Sequence, residues 1–224
     1  WPLTLFDVEG IKRKKGLSAV RALAKAARST VESIMLLRRI RPDGVIGSGS
    51  YSSAPVVAAA KLLGMKTAIL EQNALPGLTN RALGKLVDRV YISFEESRRF
   101  FPGGRTILSG NPVRRDIITK LEDRRGRAER FSILVFGGSQ GATAINAAFL
   151  DAAEFLTDIW SNLKVVHQTG QEGFDTVVAA YKRKNLKVEA YKFIEAMGEA
   201  YNSADLVVCR AGATSLAEIT AAGL

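Results

Sequence analysis

Apolar and polar positions follow one another in a repeating order along the chain. A short run of apolar, often β-branched residues gives way to a turn rich in glycine, serine or asparagine, and then to a longer stretch with apolar residues at helical spacing. In the front half, residues 44–47, 67–70, 89–92 and 106–109 read as strands, and 54–63, 80–87 and 95–101 as helices. In the back half, 133–136, 163–169, 186–190 and 206–209 read as strands, and 142–149, 174–184, 197–202 and 216–222 as helices. This alternation predicts an α/β fold with parallel sheets covered by helices on both faces.

Between the two runs the periodicity stops. KLEDRRGRAER (120–130) offers only Leu121 and Ala128 to a core, so the expected organisation is a first domain over 1–118, a linker over 119–130 and a second domain over 131–224.

One turn stands out, in SILVFGGSQGATAINA (132–147). Strand, glycines and helix formers follow directly, so the glycines permit positive φ and close approach of a ligand to the backbone. The new helix begins with unpaired N–H groups at its positive end, which suits an anion, and Ser139 adds a hydroxyl. An ordinary βα turn with nothing bound remains open. Neither G-x-G-x-x-G nor G-x-x-x-x-G-K is present, so a phosphate here would belong to neither an ordinary dinucleotide nor ATP. The same design recurs after residues 206–209, where Arg210 to Ser215 lead into a helix. Two anion-receptive helix ends suit a diphosphate better than a carboxylate. Glu218, expected in the first turn of that last helix, either favours the helix dipole or accepts hydrogen bonds from ribose hydroxyls. In the front half, strand 67–70 delivers Glu71, Gln72 and Asn73 to a loop containing Pro76 and Gly77, where they serve either a ligand or turn and cap chemistry.

Charge changes the picture at one place. The formal net charge of the 224 residues is +10, and ten basic residues (Lys12, Arg13, Lys14, Lys15, Arg21, Lys25, Arg28, Arg38, Arg39, Arg41) face only Glu32 between residues 12 and 41. Within 16–40, Val20, Leu23, Ala24, Ala27, Val31, Ile34 and Met35 recur at helical spacing, with Arg21, Lys25 and Arg28 on another face. This is a basic amphipathic helix, either packed on a sheet with a solvated face or meeting anionic lipid, where each basic group is worth about 1 kcal/mol. No aromatic residues are interleaved to stack bases, so nucleic acid is not an expected partner. No apolar run reaches the roughly 18 residues of a spanning helix, and a soluble or peripheral protein is expected. Cys209 and His167 are each single, which excludes an intrachain disulfide, argues against a zinc site built from these residue types and fits a reducing cytoplasm. A first residue Trp1 and a last residue Leu224 directly after a helical pattern lead to the expectation of a fragment.

The motifs GSGSYSSAP (47–55), EQN followed by GLTN (71–80), GNPVR (110–114), GGSQGA (137–142), HQTG (167–170), FIEAM (193–197) and CRAGATSLAE (209–218) resemble, in order, those of the MurG family of peptidoglycan N-acetylglucosaminyltransferases, glycosyltransferase family 28. The resemblance implies the GT-B fold: two Rossmann-like domains with parallel sheets, the first lacking its N-terminal part and the second its C-terminal part. It implies inverting transfer of N-acetylglucosamine from UDP-N-acetylglucosamine to undecaprenyl-diphospho-muramoylpentapeptide, converting lipid I to lipid II. By resemblance, the backbone of Ile194 reads the uracil and Arg114 packs over it. Glu218 binds the ribose, Ser139 and the turn Ala213, Thr214, Ser215 and Leu216 hold the diphosphate, and Asn73 contacts the sugar.

Two residues depart from the family pattern. Leu70 stands where a histidine is usual and Ser50 where a second glycine is usual. The family's base candidate would precede Trp1, which leaves Glu71 as the candidate within this chain, while His167 is expected to be structural. No cofactor is expected, because UDP-N-acetylglucosamine is a substrate, and without an Asp-x-Asp pair no obligatory metal site is expected either. The implied partners are that donor, the polyprenyl-linked muramyl pentapeptide and an anionic membrane surface met through residues 12–41, with a peripheral location on the cytoplasmic face of the bacterial cell membrane. Rival readings are another glycolipid glycosyltransferase or a UDP-sugar epimerase on the same fold, or a basic membrane-binding module without activity.

Overall fold

The computed structural model describes residues 3–5, 17–49, 51–119, 130–138 and 140–224, without the side chains of 17–23 and 119. Its contacts divide the chain into two units, Trp1–Asn111 and Pro112–Leu224.

In the first unit, α1 (Leu17–Ile40), β1 (Gly44–Gly47), α2 (Ser53–Leu62), β2 (Lys66–Glu71), α3 (Leu78–Leu83), β3 (Arg89–Ile92), a 3₁₀ segment (Glu95–Phe100) and β4 (Thr106–Leu108) follow in order. The sheet runs β1-β2-β3-β4 and every pairing is parallel. Val57, Ile69, Leu83, Val87, Val90, Ile92 and Phe101 form its core. Asp88 ties the start of β2 to β3 by accepting from Lys61 Nζ and from the backbone N–H and hydroxyl of Thr67, both at 2.9 Å. The Lys61 hydrogen bond above all, with those from Thr67, holds the Asp88 carboxyl well below the usual carboxylate range.

The apolar stripe expected on α1 is exposed at Ala24, Ala27, Val31 and Met35. The buried positions are Ser29, Ser33 and Leu37, on a helix that packs against α2 with Leu37 meeting Ala59 and Ala60, whereas Val31 and Met35 are more than half exposed. Small serines let two helices approach closely, and the buried Ser33 hydroxyl is satisfied by donating to Ser29 O at 2.6 Å.

The second unit contains α4 (Arg115–Thr119), β5 (Phe131–Phe136), α5 (Thr143–Ala152), a 3₁₀ segment (Ala153–Asn162), β6 (Leu163–Gln168), α6 (Phe174–Arg183), β7 (Glu189–Tyr191), α7 (Met197–Ser203), β8 (Leu206–Cys209) and α8 (Ala213–Ala221). Its sheet runs β7-β6-β5-β8, again all parallel. Alternate residues of β5 feed the two faces. Ile133 and Val135 join Phe149, Trp160, Val165 and Tyr181, while Leu134 and Phe136 join Ile117, Met197 and Tyr201. That two-sided burial is why β5 reads as a continuous apolar run.

Two elements were not apparent in the periodicity, α4 and the 3₁₀ segment Ala153–Asn162, both too short or too mixed to show it. The change of unit also falls earlier than polarity suggests, since Ile117 packs in the core of the second unit and α4 lies against α7 and α8. Most of the expected linker, residues 120–129, lies outside the described residues.

Candidate functional site

The site of the second unit is built at the carboxyl ends of four parallel strands, where α/β sheets present ligand groups. β5 and β8 are paired neighbours with Phe136 level with Cys209, so the turns 137–142 and 210–212 leave the same edge of the sheet side by side. Each leads into a helix without a side-chain cap, α5 after Ala142 and α8 after Gly212. Their first-turn N–H groups therefore stay available to an anion. In α8 the Leu216 N–H donates to Gly212 O at 2.9 Å, which leaves Ala213, Thr214 and Ser215 as the donors of the expected turn. Thr214 is exposed. Ser139 and Ser50 lie outside the described residues.

Close backbone contact explains two of the glycines. Gly141 has φ +76° and Gly170 φ +81°, and a Cβ on Gly141 would stand 2.3 Å from Thr169 O, one on Gly170 2.4 Å from Gln140 O. The β5–α5 and β6–α6 turns interlock here, with no room for a side chain.

Behind them lies a buried polar network. His167 Nδ1 is 2.9 Å from Tyr181 Oη and Nε2 3.1 Å from Asn146 Oδ1, while Asn146 Nδ2 donates to Thr169 O at 2.9 Å. That last bond turns the Asn146 oxygen toward the ring, so Nε2 carries the proton and Nδ1 accepts from the tyrosine. Burial pushes the imidazole down to about 4, and the ring is neutral. With both nitrogens engaged inside the unit, His167 is a structural histidine, as its motif position suggests.

Glu218 sits in the second turn of α8, because that helix begins at Ala213 and not at 216. This corrects the expected first-turn position and weakens the dipole explanation, which applies within the first turn. Its carboxylate, 14% exposed, accepts from Tyr201 Oη at 3.1 Å and lies 3.5 Å from Arg114 Nε. Arg114 is half exposed, and Tyr201 is fully buried. Burial, then the Glu218 charge, pushes the Tyr201 hydroxyl well above the usual phenol range, so it stays a donor. An aimed acceptor and a cation with an open face suit ribose hydroxyls and a flat base.

Ile194 lies in the loop after β7, and its N–H donates to Gln168 Oε1 at 2.8 Å, while Gln168 Nε2 donates to Gly138 O at 2.9 Å. Gln168, Tyr201 and Asn146 were missed as site residues from sequence. Only the glutamine had a signal, as the second residue of HQTG at a strand end.

In the first unit, Glu71 is buried and both its oxygens are engaged. Oε1 accepts from Asn73 N at 2.9 Å and Asn73 Nδ2 at 3.1 Å, and Oε2 from Asn80 Nδ2 at 2.9 Å and Gly77 N at 3.3 Å. A carboxylate whose two oxygens accept from four donors holds its loop in place and has no lone pair left to meet an acceptor hydroxyl. Asn73 is thereby fixed at the exposed tip of that loop.

Comparison with known proteins gives the family and the fold. Residues 2–92 match the glycosyltransferase family 28 N-terminal domain and residues 132–224 the glycosyltransferase family 28 C-terminal domain. The UDP-N-acetylglucosamine–N-acetylmuramyl-(pentapeptide) pyrophosphoryl-undecaprenol N-acetylglucosamine transferase of Syntrophus aciditrophicus is 48% identical over 99% of this chain, which spans 61% of that relative's length. The crystal structure of Acinetobacter baumannii MurG is similar with a TM-score of 0.66 and 31% identity, over 98% of this chain and 60% of that one. UDP-GlcNAc 2-epimerase from Neisseria meningitidis, with a TM-score of 0.61 and 13% identity over 90% of this chain and 62% of that one, shares the fold alone. With both domain models of one family matched in order along it, the chain belongs to glycosyltransferase family 28.

Proposed function

We propose that this chain carries the donor-binding part of an enzyme that moves N-acetylglucosamine from UDP-N-acetylglucosamine to a polyprenyl-diphosphate-linked muramyl pentapeptide, the last step to lipid II. The observation that carries the reading is the meeting of Arg114, Tyr201 and Glu218 in the unit that also holds two uncapped helix starts on neighbouring strands. In this reading Glu218 accepts from the ribose hydroxyls and Arg114 covers the uracil. Ile194 reads the edge of that base, and the diphosphate rests on the first turn of α8 together with Ser139. Asn73 contacts the sugar.

The reaction is an inverting substitution. An acceptor hydroxyl oxygen attacks the anomeric carbon, the bond from that carbon to the diphosphate oxygen breaks, and UDP leaves with the electron pair while a base takes the hydroxyl proton. Helix N-termini and hydroxyl donors at α5 and α8 stabilise the charge that grows on the diphosphate. The base is not assigned to a residue of this chain, and the saturated carboxylate of Glu71 speaks against that residue.

A lipid-linked acceptor has to be met at a membrane. Among the described residues no helix is long and apolar enough to cross one. Ala24, Ala27, Val31 and Met35 are exposed along one side of α1, with Arg38, Arg39 and Arg41 exposed at its end. An outward apolar stripe beside cations supports peripheral attachment to an anionic surface on the cytoplasmic side.

Calorimetric titration tests the donor reading. UDP and UDP-N-acetylglucosamine should bind, with UDP-glucose and UDP-galactose weaker than the latter; a chain that binds none of them, or prefers UDP-galactose, refutes it.

A further inference from the structure

In the first unit the 3₁₀ segment Glu95–Phe100 ends against α3. A Cβ on Gly84, the residue after that helix, would stand 2.4 Å from Phe101 Cδ1, so it is the bare backbone there that lets the Phe101 ring close on it. Phe101 belongs to the core of the unit, and Phe100 beside it packs on the same core. The Phe100 ring is thereby held where two arginines from separate elements reach it. Arg81 Cζ, from α3, lies 4.5 Å from the ring centroid, and Arg99 Cζ lies 4.9 Å from it.

Two like charges on one ring at those distances are less than about 10 Å apart, a range over which salt at about 0.1 M leaves them in contact with one another. No acid answers them. Among the described residues neither guanidinium makes an ion pair or a side-chain hydrogen bond, although Glu96 stands three residues before Arg99. The neighbouring arginines are spent differently: Arg98 donates to Glu95 and Thr106, and Arg105 to the carbonyls of Lys85 and Val87. A ring contact draws on the charge of a guanidinium and on none of its N–H groups, so Arg81 and Arg99 keep theirs.

We propose that Arg81 and Arg99, positioned by Phe100, form a binding site for a dianionic phosphate free in solution, a phosphate monoester or a diphosphate. Planar guanidiniums donate in pairs to phosphate oxygens, and two of them match two negative charges, where a carboxylate brings one. The site uses no residue of the second unit and does not depend on the donor reading.

Inorganic pyrophosphate is titrated by calorimetry into the chain saturated with UDP, which keeps pyrophosphate out of the donor site. One pyrophosphate per chain should bind, and Arg81→Gln and Arg99→Gln should each weaken it by about tenfold. Phe100→Leu keeps an apolar group on the core and loses the ring, so it should weaken binding by about threefold. Lys182→Gln removes the same charge from an exposed position on α6 and should change nothing. Equal weakening by Lys182→Gln and the arginine variants would mean diffuse attraction and would overturn the site, as would absence of binding or unchanged binding in Phe100→Leu. Vesicles of phosphatidylglycerol, whose phosphate carries one charge, separate the membrane as a source: arginine variants that lose vesicle attachment and keep pyrophosphate overturn the dianion.

Nuclear magnetic resonance on the parent chain is independent of any variant's folding. The Nε–H signals of Arg81 and Arg99 should shift together as pyrophosphate is added, and signals that stay in place refute the site. A chain that takes up pyrophosphate at these arginines and does not bind UDP refutes the donor reading alone.

Discussion

Arg114 Nε lies 3.5 Å from Glu218 Oε1, joining the loop ahead of α4 to the second turn of α8, while Tyr201 Oη holds the other carboxylate oxygen at 3.1 Å. With Arg114 half exposed and its Nε as far as 3.5 Å from the carboxylate, the pair contributes about 0–1 kcal/mol to stability, so its value is in aiming an acceptor. Glu218→Ala should weaken UDP binding about tenfold and Tyr201→Phe about threefold, with attachment to anionic vesicles unchanged in both. Calorimetry and vesicle sedimentation check this; equal loss of both activities would count against the ribose role of Glu218.

The glycine turn contains two positions that fail for different reasons. Gly138 has φ +91° with open space around a built Cβ, whereas Gly141 would press a Cβ onto Thr169 O. Gly138→Ala should cost about 1 kcal/mol from its backbone conformation alone. Gly141→Ala should cost about 3 kcal/mol, because the interlocked turn has to move as well. Urea unfolding of the two variants measures the difference.

His167 links stability to pH. Its folded value of about 4 lies below the ordinary 6.5, so its contribution is complete above pH 6.5 and is lost as the pH falls from there toward 4. By pH 5 the loss should be about 2 kcal/mol, at 1.36 kcal/mol per unit. Because His167 is the only histidine in the chain, unfolding free energies between pH 7 and 5 report on it, and His167→Gln should flatten that window.

Glu71 should behave as a loop anchor. Glu71→Gln places an amide N–H against donors that need an acceptor, so it should raise hydrogen exchange across residues 72–80 and cost about 1–3 kcal/mol. Exchange mass spectrometry reads the loop directly. Unchanged exchange there, with donor binding intact, would remove the anchoring role.

Val31 and Met35 face outward on α1, and a change to glutamine at both should leave the fold intact. Their removal should weaken binding to vesicles of phosphatidylglycerol by about thirtyfold, since partial burial of each of the two side chains is worth about 1 kcal/mol. The remaining attraction should fall further as salt is raised. A chain that binds vesicles equally well with and without the two side chains would place the contact elsewhere.

Element type and order were legible in the sequence because apolar periodicity and glycine punctuation are local properties. Strands Arg89–Ile92 and Leu206–Cys209 have the bounds that the pattern predicts, and the α/β alternation needed no knowledge of partners. The candidate site was half legible, through turns whose glycines and small residues lie close together in the chain. What lay beyond reach was every relation between distant residues. Strand order β7-β6-β5-β8 decides that the turns after β5 and β8 are neighbours and that Gln168, on the middle strand, can strap the loops on either side. Helix packing decides that Ser29 and Ser33, not Val31 and Met35, are the inner face of α1, because the fit between two helices depends on both surfaces. Local sequence thus determined which pieces this chain is made of, and tertiary structure alone decided which of their polar atoms meet. A hydrogen bond between residues remote in sequence exists only once the backbone that carries them has been folded into register.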